Sequence, residues 1–215
     1  MSSPPLARIR KQDRPLKVLL LTWEYPPRIV GRVAGYVYSL AQGLAGRGLD
    51  VTVIHPSDGD GEKMDGAVRV LMAGHPIKHH ASILNYIWSL SVTLVRRSAD
   101  FFHSMNGEGL NVIHAHDWTS CLPALYLKWS FNLPTVLTVY STESIRGGMG
   151  NLLGHGISEV ERFCLKYADI ILAGDDDVAS RIKVDYGILC EKILPARLGS
   201  SDVDTAINAY EKVKV

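Results

Sequence analysis

Apolar positions along the chain fall into short continuous runs, separated by polar stretches rich in glycine and proline. The first run, KVLLLTW at residues 17–23, predicts a strand. After the turn-rich EYPPRIVGR, the positions Val33, Ala34, Val37, Leu40, Ala41 and Leu44 share one helical face, and Gly46 and Gly48 suit its exit. DVTVIHP predicts the next strand, closed by Pro56, and these elements make a strand–helix–strand crossover. SDGDGEKMDG reads as a polar loop and AVRVLMA as a third strand. Residues 82–102 carry two adjoining stripes, Ile83, Ile87, Leu90, Leu94 and Leu84, Trp88, Ser91, Val95, which predict the longest helix.

The alternation continues to the end. LNVIHAH predicts a strand, Trp118 to Phe131 a helix, PTVLTVY a strand and RGGMGNLLGHG a loop. Ile157 to Tyr167 predicts a helix, ADIILAG a strand, Asp175 to Asp185 a helix, and Glu191 to Leu194 a short strand. Most strands are unbroken Val/Ile/Leu runs, so both of their faces are buried. The fold class is therefore α/β, a mostly parallel sheet between helices in three layers. The tail SSDVDTAINAYEKVKV puts Val203, Ala206, Ile207 and Tyr210 on one face, with Ser201 or Asp202 as N-cap, and predicts a terminal helix packed back on the sheet. The expected organisation is a flexible leader over 1–16, one domain over 17–199, and the helix over 200–215.

Composition narrows the classes. The 215 residues suffice for one α/β core and are short for two domains. A net charge of +1 gives no field for nucleic acid or acidic lipid. The leader lacks an apolar core and no membrane-length apolar run occurs, so a cytoplasmic protein without signal peptide or membrane span is expected. Cys121, Cys164 and Cys190 lack metal spacing and read as free buried thiols in a reducing cytosol. His79–His80 lacks a third ligand, so no metal is expected. Trp88, Trp118 and Trp129 fall on helical stretches and read as core.

Open parallel sheets bind ligands at the carboxyl ends of their strands. Glu24, Gly31 and Arg32 follow the first strand, His116 and Asp117 end another, and Tyr140, Ser141 and Glu143 close a third. Gly31 precedes a helix N-terminus, where exposed N–H groups attract a phosphate or a sugar hydroxyl; a plain loop glycine is the other reading. Asp117 is either a helix cap or a catalytic group, with His116 either bonded to a backbone carbonyl or catalytic. Ser141 and Glu143 are either turn and cap or sugar-binding, and Glu24 is either a solvated loop carboxylate or part of the site. Neither G-x-G-x-x-G nor G-x-x-x-x-G-K-[ST] occurs, which argues against nicotinamide, flavin and P-loop chemistry.

KVLLLTWEYPPRIVG with VYSLAQGLAGRGLDVTVIHP, then VIHAHDW, LTVYSTESIRGG and YADIILAGDDDVASRIKVDYGI, resemble in order four blocks of retaining glycosyltransferases of the glycogen/starch synthase type. The resemblance runs from Lys17 to Leu194. It implies one Rossmann-like half of a GT-B fold: the N-terminal half that binds an α-glucan acceptor, while a second half binds ADP- or UDP-glucose. It implies no obligatory metal or other cofactor. It puts Gly31 near the donor phosphates, His116 and Asp117 in the acceptor cleft, and Tyr140 where the family has a histidine that contacts the donor sugar. Gly31–Arg32 stands where two glycines are usual, and Tyr140 replaces that histidine. ILPARLGSSD stands where the family has an asparagine–glycine hinge, and the resemblance implies a donor-binding half that lies outside these residues. The expectation is a catalytically incomplete acceptor-side domain without appreciable transfer activity of its own, its partners being a glucan and a donor domain outside these residues. An excised or engineered scaffold without activity, and an interaction module that pairs two copies as a homodimer, are the competing readings.

Overall fold

The computed structural model describes residues 15–105, 109–196 and 202–213. Eight strands form one sheet: β1 (Lys17–Leu21), β2 (Asp50–Ser57), β3 (Gly61–Asp65), β4 (Val68–Gly74), β5 (Val112–His116), β6 (Thr135–Val139), β7 (Ile170–Ala173) and β8 (Ile193–Pro195). Their order is β3-β4-β2-β1-β5-β6-β7-β8. Every pairing is parallel except β3 with β4. Chain direction across the sheet reverses between β1 and β5, which makes that gap the switch point of a doubly wound fold.

The helices are α1 (Val33–Gly46), α2 (Ile83–Ser104), α3 (Trp118–Phe131), α4 (Glu143–Arg146), α5 (Leu152–Tyr167), α6 (Asp176–Tyr186) and α7 (Asp202–Val213). Alternation along β1 sorts them into two layers. Leu19 and Leu21 pack with Ile87 and Leu90 of α2, Leu125 of α3 and Leu165 of α5. Val18 and Leu20 pack with Val37, Leu40 and Leu44 of α1 and Ala206 and Tyr210 of α7. Helix α7 lies directly against α1: Arg47 pairs with Asp204 at 2.6 Å, and a Cβ at Gly43 would overlap the side chain of Val203.

The fold is the expected α/β sandwich, with three local differences. The polar stretch after β2 holds strand β3, because Gly61–Asp65 finds the free edge of β4 although its burial is slight. The glycine-rich stretch after β6 is helical in part: α4 and a short 3-10 turn precede α5, which starts at Leu152. Asn151 starts α5 by accepting from the Gly154 N–H at 2.9 Å, an N-cap hidden in a glycine-rich sequence. Trp118 is buried, but Trp88 and Trp129 are half-exposed; Cys190 is exposed, while Cys121 and Cys164 are buried, and none of the three is in a disulfide. The leader up to Arg14 and the Ser201 cap position lie outside the described residues.

Candidate functional site

Residues beyond β1, β5 and β6 meet at the switch point. Glu24 follows β1 and is buried, not solvated. Its Oε2 accepts the backbone N–H of Val30 at 2.6 Å and of Gly31 at 2.5 Å. The N–H groups expected to receive an anion therefore hold the chain's own carboxylate, a reversal that follows from charge-assisted bonding at a short loop. Arg32 is the exposed N-cap residue of α1, with no side-chain capping bond.

His116 ends β5 fully buried and points to the α1–α7 side. Its Nδ1 lies 2.9 Å from the Tyr140 hydroxyl, so its partner is a side chain and not a backbone carbonyl. The Tyr140 ring stacks on that of Tyr36 in α1 at 5.6 Å. Behind it, His114 sits 4.4 Å from His116 ring to ring and bonds Thr138 at 2.7 Å and Tyr210 of α7 at 2.6 Å. Burial depresses the His116 imidazole to about 3, so it is neutral at physiological pH. Its Nε2 is buried without a partner.

Asp117 turns to the other side of the sheet. It lines a cavity with room for about one water, walled by Leu137, Val139, Thr142, Glu161 and Cys164. The adjacent pair His116–Asp117 is thus divided by the sheet. Asp117 occupies the N-cap position of α3 but makes no side-chain capping bond, and its φ of 63° with ψ of 171° is a conformation that essentially only glycine adopts freely. Burial raises its carboxyl to about 7; Arg146 opposes this, and Glu161 and Glu24 add to it. Oδ1 of Asp117, Oγ1 of Thr119 and Oγ of Ser120 also lack partners. Among the described residues, four unpaired buried polar atoms therefore lie within His116–Ser120, a concentration that position after a strand does not reveal beyond the first two residues.

Beyond β6, Glu143 is buried and pairs with Arg146 at 2.8 Å, and Arg146 also holds buried Glu161 at 2.5 Å and the Ser141 carbonyl at 3.1 Å. Glu143 donates its N–H to Glu161, which also accepts from the Tyr186 hydroxyl. Ser141 and Glu143 thus serve the brace around Arg146, and their side chains do not meet His116. Among the described residues no group of three or more His, Cys, Asp or Glu is placed to hold a metal, and no helix is long and apolar enough to cross a membrane.

The family described as Glycosyltransferase Family 4 matches residues 33–194. The chain belongs to Glycosyltransferase Family 4. It is 27% identical to a glycogen synthase of Mycobacterium tuberculosis over 80% of this chain and 45% of that one. It is 29% identical to an α-maltose-1-phosphate synthase of Mycolicibacterium smegmatis over 74% of this chain and 38% of that one. The chain thus spans less than half the length of these curated relatives. Among solved structures, a sucrose-phosphate synthase chain from Thermosynechococcus elongatus superposes with a TM-score of 0.67 at 14% identity, covering 92% of this chain and 97% of that one. The family domain is therefore of the N-terminal GT-B type, with the three-layer architecture described above.

Proposed function

We propose that this domain is the acceptor side of a retaining glucosyltransferase of the glycogen/starch synthase type, which moves glucose from ADP- or UDP-glucose to an α-glucan. The carrying observation is the group of unpaired buried polar atoms at the end of β5: Nε2 of His116 on the α1–α7 side of the sheet and, on the other side, Oδ1 of the strained Asp117. Strain and unpaired buried polar groups concentrate where a ligand or moving group completes the site. The relatives named as glycogen synthase and α-maltose-1-phosphate synthase support glucosyl chemistry. In this reading the glucan end lies over the Tyr36–Tyr140 stack, and His116, held neutral, orients Tyr140 toward it.

The domain alone does not complete the reaction in this account. Stabilising a leaving nucleotide diphosphate needs cations aimed at it. Arg146 is committed to Glu143 and Glu161, and the Val30 and Gly31 N–H groups are filled by Glu24. Two experiments test the reading. Amide chemical shifts during a maltoheptaose titration are expected to move around Gly31, Tyr36, Asp117 and Tyr140; shifts confined to α3 and α5, or none, overturn the acceptor role. Multiple turnovers with either sugar nucleotide and glycogen would overturn the claim of incompleteness.

A further inference from the structure

Away from the switch point, the loop after β4 brings together three donor atoms that nothing described so far uses. His75 Nε2 lies 3.3 Å from His80 Nε2 and 3.4 Å from the Ser89 hydroxyl, and His80 Nε2 lies 3.1 Å from that same hydroxyl. Hydrogen bonding limits where the protons can sit. With the Thr93 hydroxyl donating to the Ser89 carbonyl at 3.3 Å, it accepts from His75 at 2.9 Å and the His75 proton sits on Nδ1. In that tautomer His75 Nε2 carries a bare lone pair. The Ser89 hydroxyl donates to the Tyr86 carbonyl at 2.8 Å, so it too offers only lone pairs to the histidines. Three lone-pair donors converge with at most one proton, that of His80 Nε2, to share among them.

Such a triangle has the dimensions of one face of a tetrahedral metal site. Ligands about 2.0–2.1 Å from a common zinc ion at tetrahedral angles stand about 3.3 Å apart. The bond from the far nitrogen of His75 to Thr93 is the kind of outer contact that fixes the tautomer of a metal-binding imidazole. The Tyr86 ring meets both imidazoles edge-on, at 5.5 Å for His75 and 4.7 Å for His80, and holds them nearly parallel. The nearby cation Lys78 is neutralised by Asp58 at 2.6 Å, and Arg28 is turned to the Tyr86 hydroxyl at 3.2 Å.

We propose that His75, His80 and Ser89 form a binding site for one imidazole-preferring divalent transition-metal ion such as zinc, with water in the fourth position. The ion would replace the shared proton and clip the end of β4 to the second turn of α2. It lies outside the group reacting at the switch point, so this reading is independent of the proposed transferase role. The sequence pointed only to His79–His80; His79 is exposed, and the close partner of His80 is His75.

The test is calorimetric titration of the metal-free chain with zinc chloride, repeated with cobalt(II) to record its visible absorption. The expected result is one saturable equivalent and the intense bands of tetrahedral cobalt. His80→Gln, in a half-buried loop, is expected to abolish binding with the fold retained by circular dichroism, while His79→Gln leaves it unchanged. Thr93→Val, which frees the His75 tautomer, is expected to weaken binding by about 10-fold or more. No saturable equivalent in the wild type, or an equivalent that survives His80→Gln, overturns the site and leaves a proton-sharing histidine pair.

Discussion

The carboxylate of Glu24 lies 2.5 Å from the backbone N–H of Gly31 and closes the loop between β1 and α1 on itself. A buried carboxylate with two short amide donors is a strong contact, and removing it leaves both N–H groups without that partner. Glu24→Ala is expected to lower stability by about 2–3 kcal/mol. Urea unfolding checks this, and a loss under about 0.5 kcal/mol would contradict it.

Asp117 gives a substitution with the opposite sign. Its backbone conformation suits glycine and its carboxylate oxygen is buried unpaired. Asp117→Gly is expected to stabilise the domain by about 1–3 kcal/mol through relief of strain. A lower melting temperature than wild type would show that the carboxyl group has a structural partner.

The same residue sets part of the pH dependence. Its folded carboxyl titrates at about 7, against about 3.9 in an unfolded chain. The folded state keeps a proton that the unfolded state has lost, so this group's contribution is full below about pH 4 and is lost as pH rises through about 7. His55, at about 4, and His116, at about 3, act the other way: their contribution is full above about 6.5 and is lost as pH falls toward their folded values. Asp117→Asn should therefore remove this residue's share of the decline, leaving that of Asp202, whose carboxyl burial raises to about 6, and the acid limb of the histidines. Identical profiles for the variant and the wild type between pH 4 and 8 would contradict the assignment.

Arg146 neutralises two buried carboxylates, Glu143 and Glu161. Arg146→Met strands both and is expected to cost about 3–5 kcal/mol. A triple change with Glu143→Gln and Glu161→Gln should recover part of that loss in thermal unfolding. No recovery would mean that the arginine acts through packing alone.

Gly43 reports on the α1–α7 contact. In a free helix, glycine to alanine gains about 1 kcal/mol. Here a Cβ would overlap Val203, so Gly43→Ala is expected to destabilise and to be relieved by Val203→Ala. Non-additivity in denaturant unfolding checks the pair, and simple additivity would place α7 elsewhere.

The sequence shows the layers because unbroken apolar runs such as KVLLL and VIHAH are buried on both faces, and the structure keeps that pattern. It hides β3, whose residues GEKMD are polar because the edge strand is largely solvated on its sides. It hides the start of α5, since Asn151 caps a helix whose first turn contains Gly154. Position after a strand singles out Glu24, His116 and Asp117 as candidates. Their roles were not legible, because they depend on long-range partners: Gly31 for Glu24 across a loop, Tyr140 for His116 across a strand, and a positive φ for Asp117 that composition does not encode.

The acceptor-side account meets its most direct test in the affinity of the folded chain for maltoheptaose, compared between the wild type and Tyr140→Ala by calorimetry. It predicts saturable one-to-one binding that weakens by about 10-fold or more when the ring over His116 is removed, roughly 1.4 kcal/mol. Equal affinity in the two proteins, or no binding by the wild type, would contradict it.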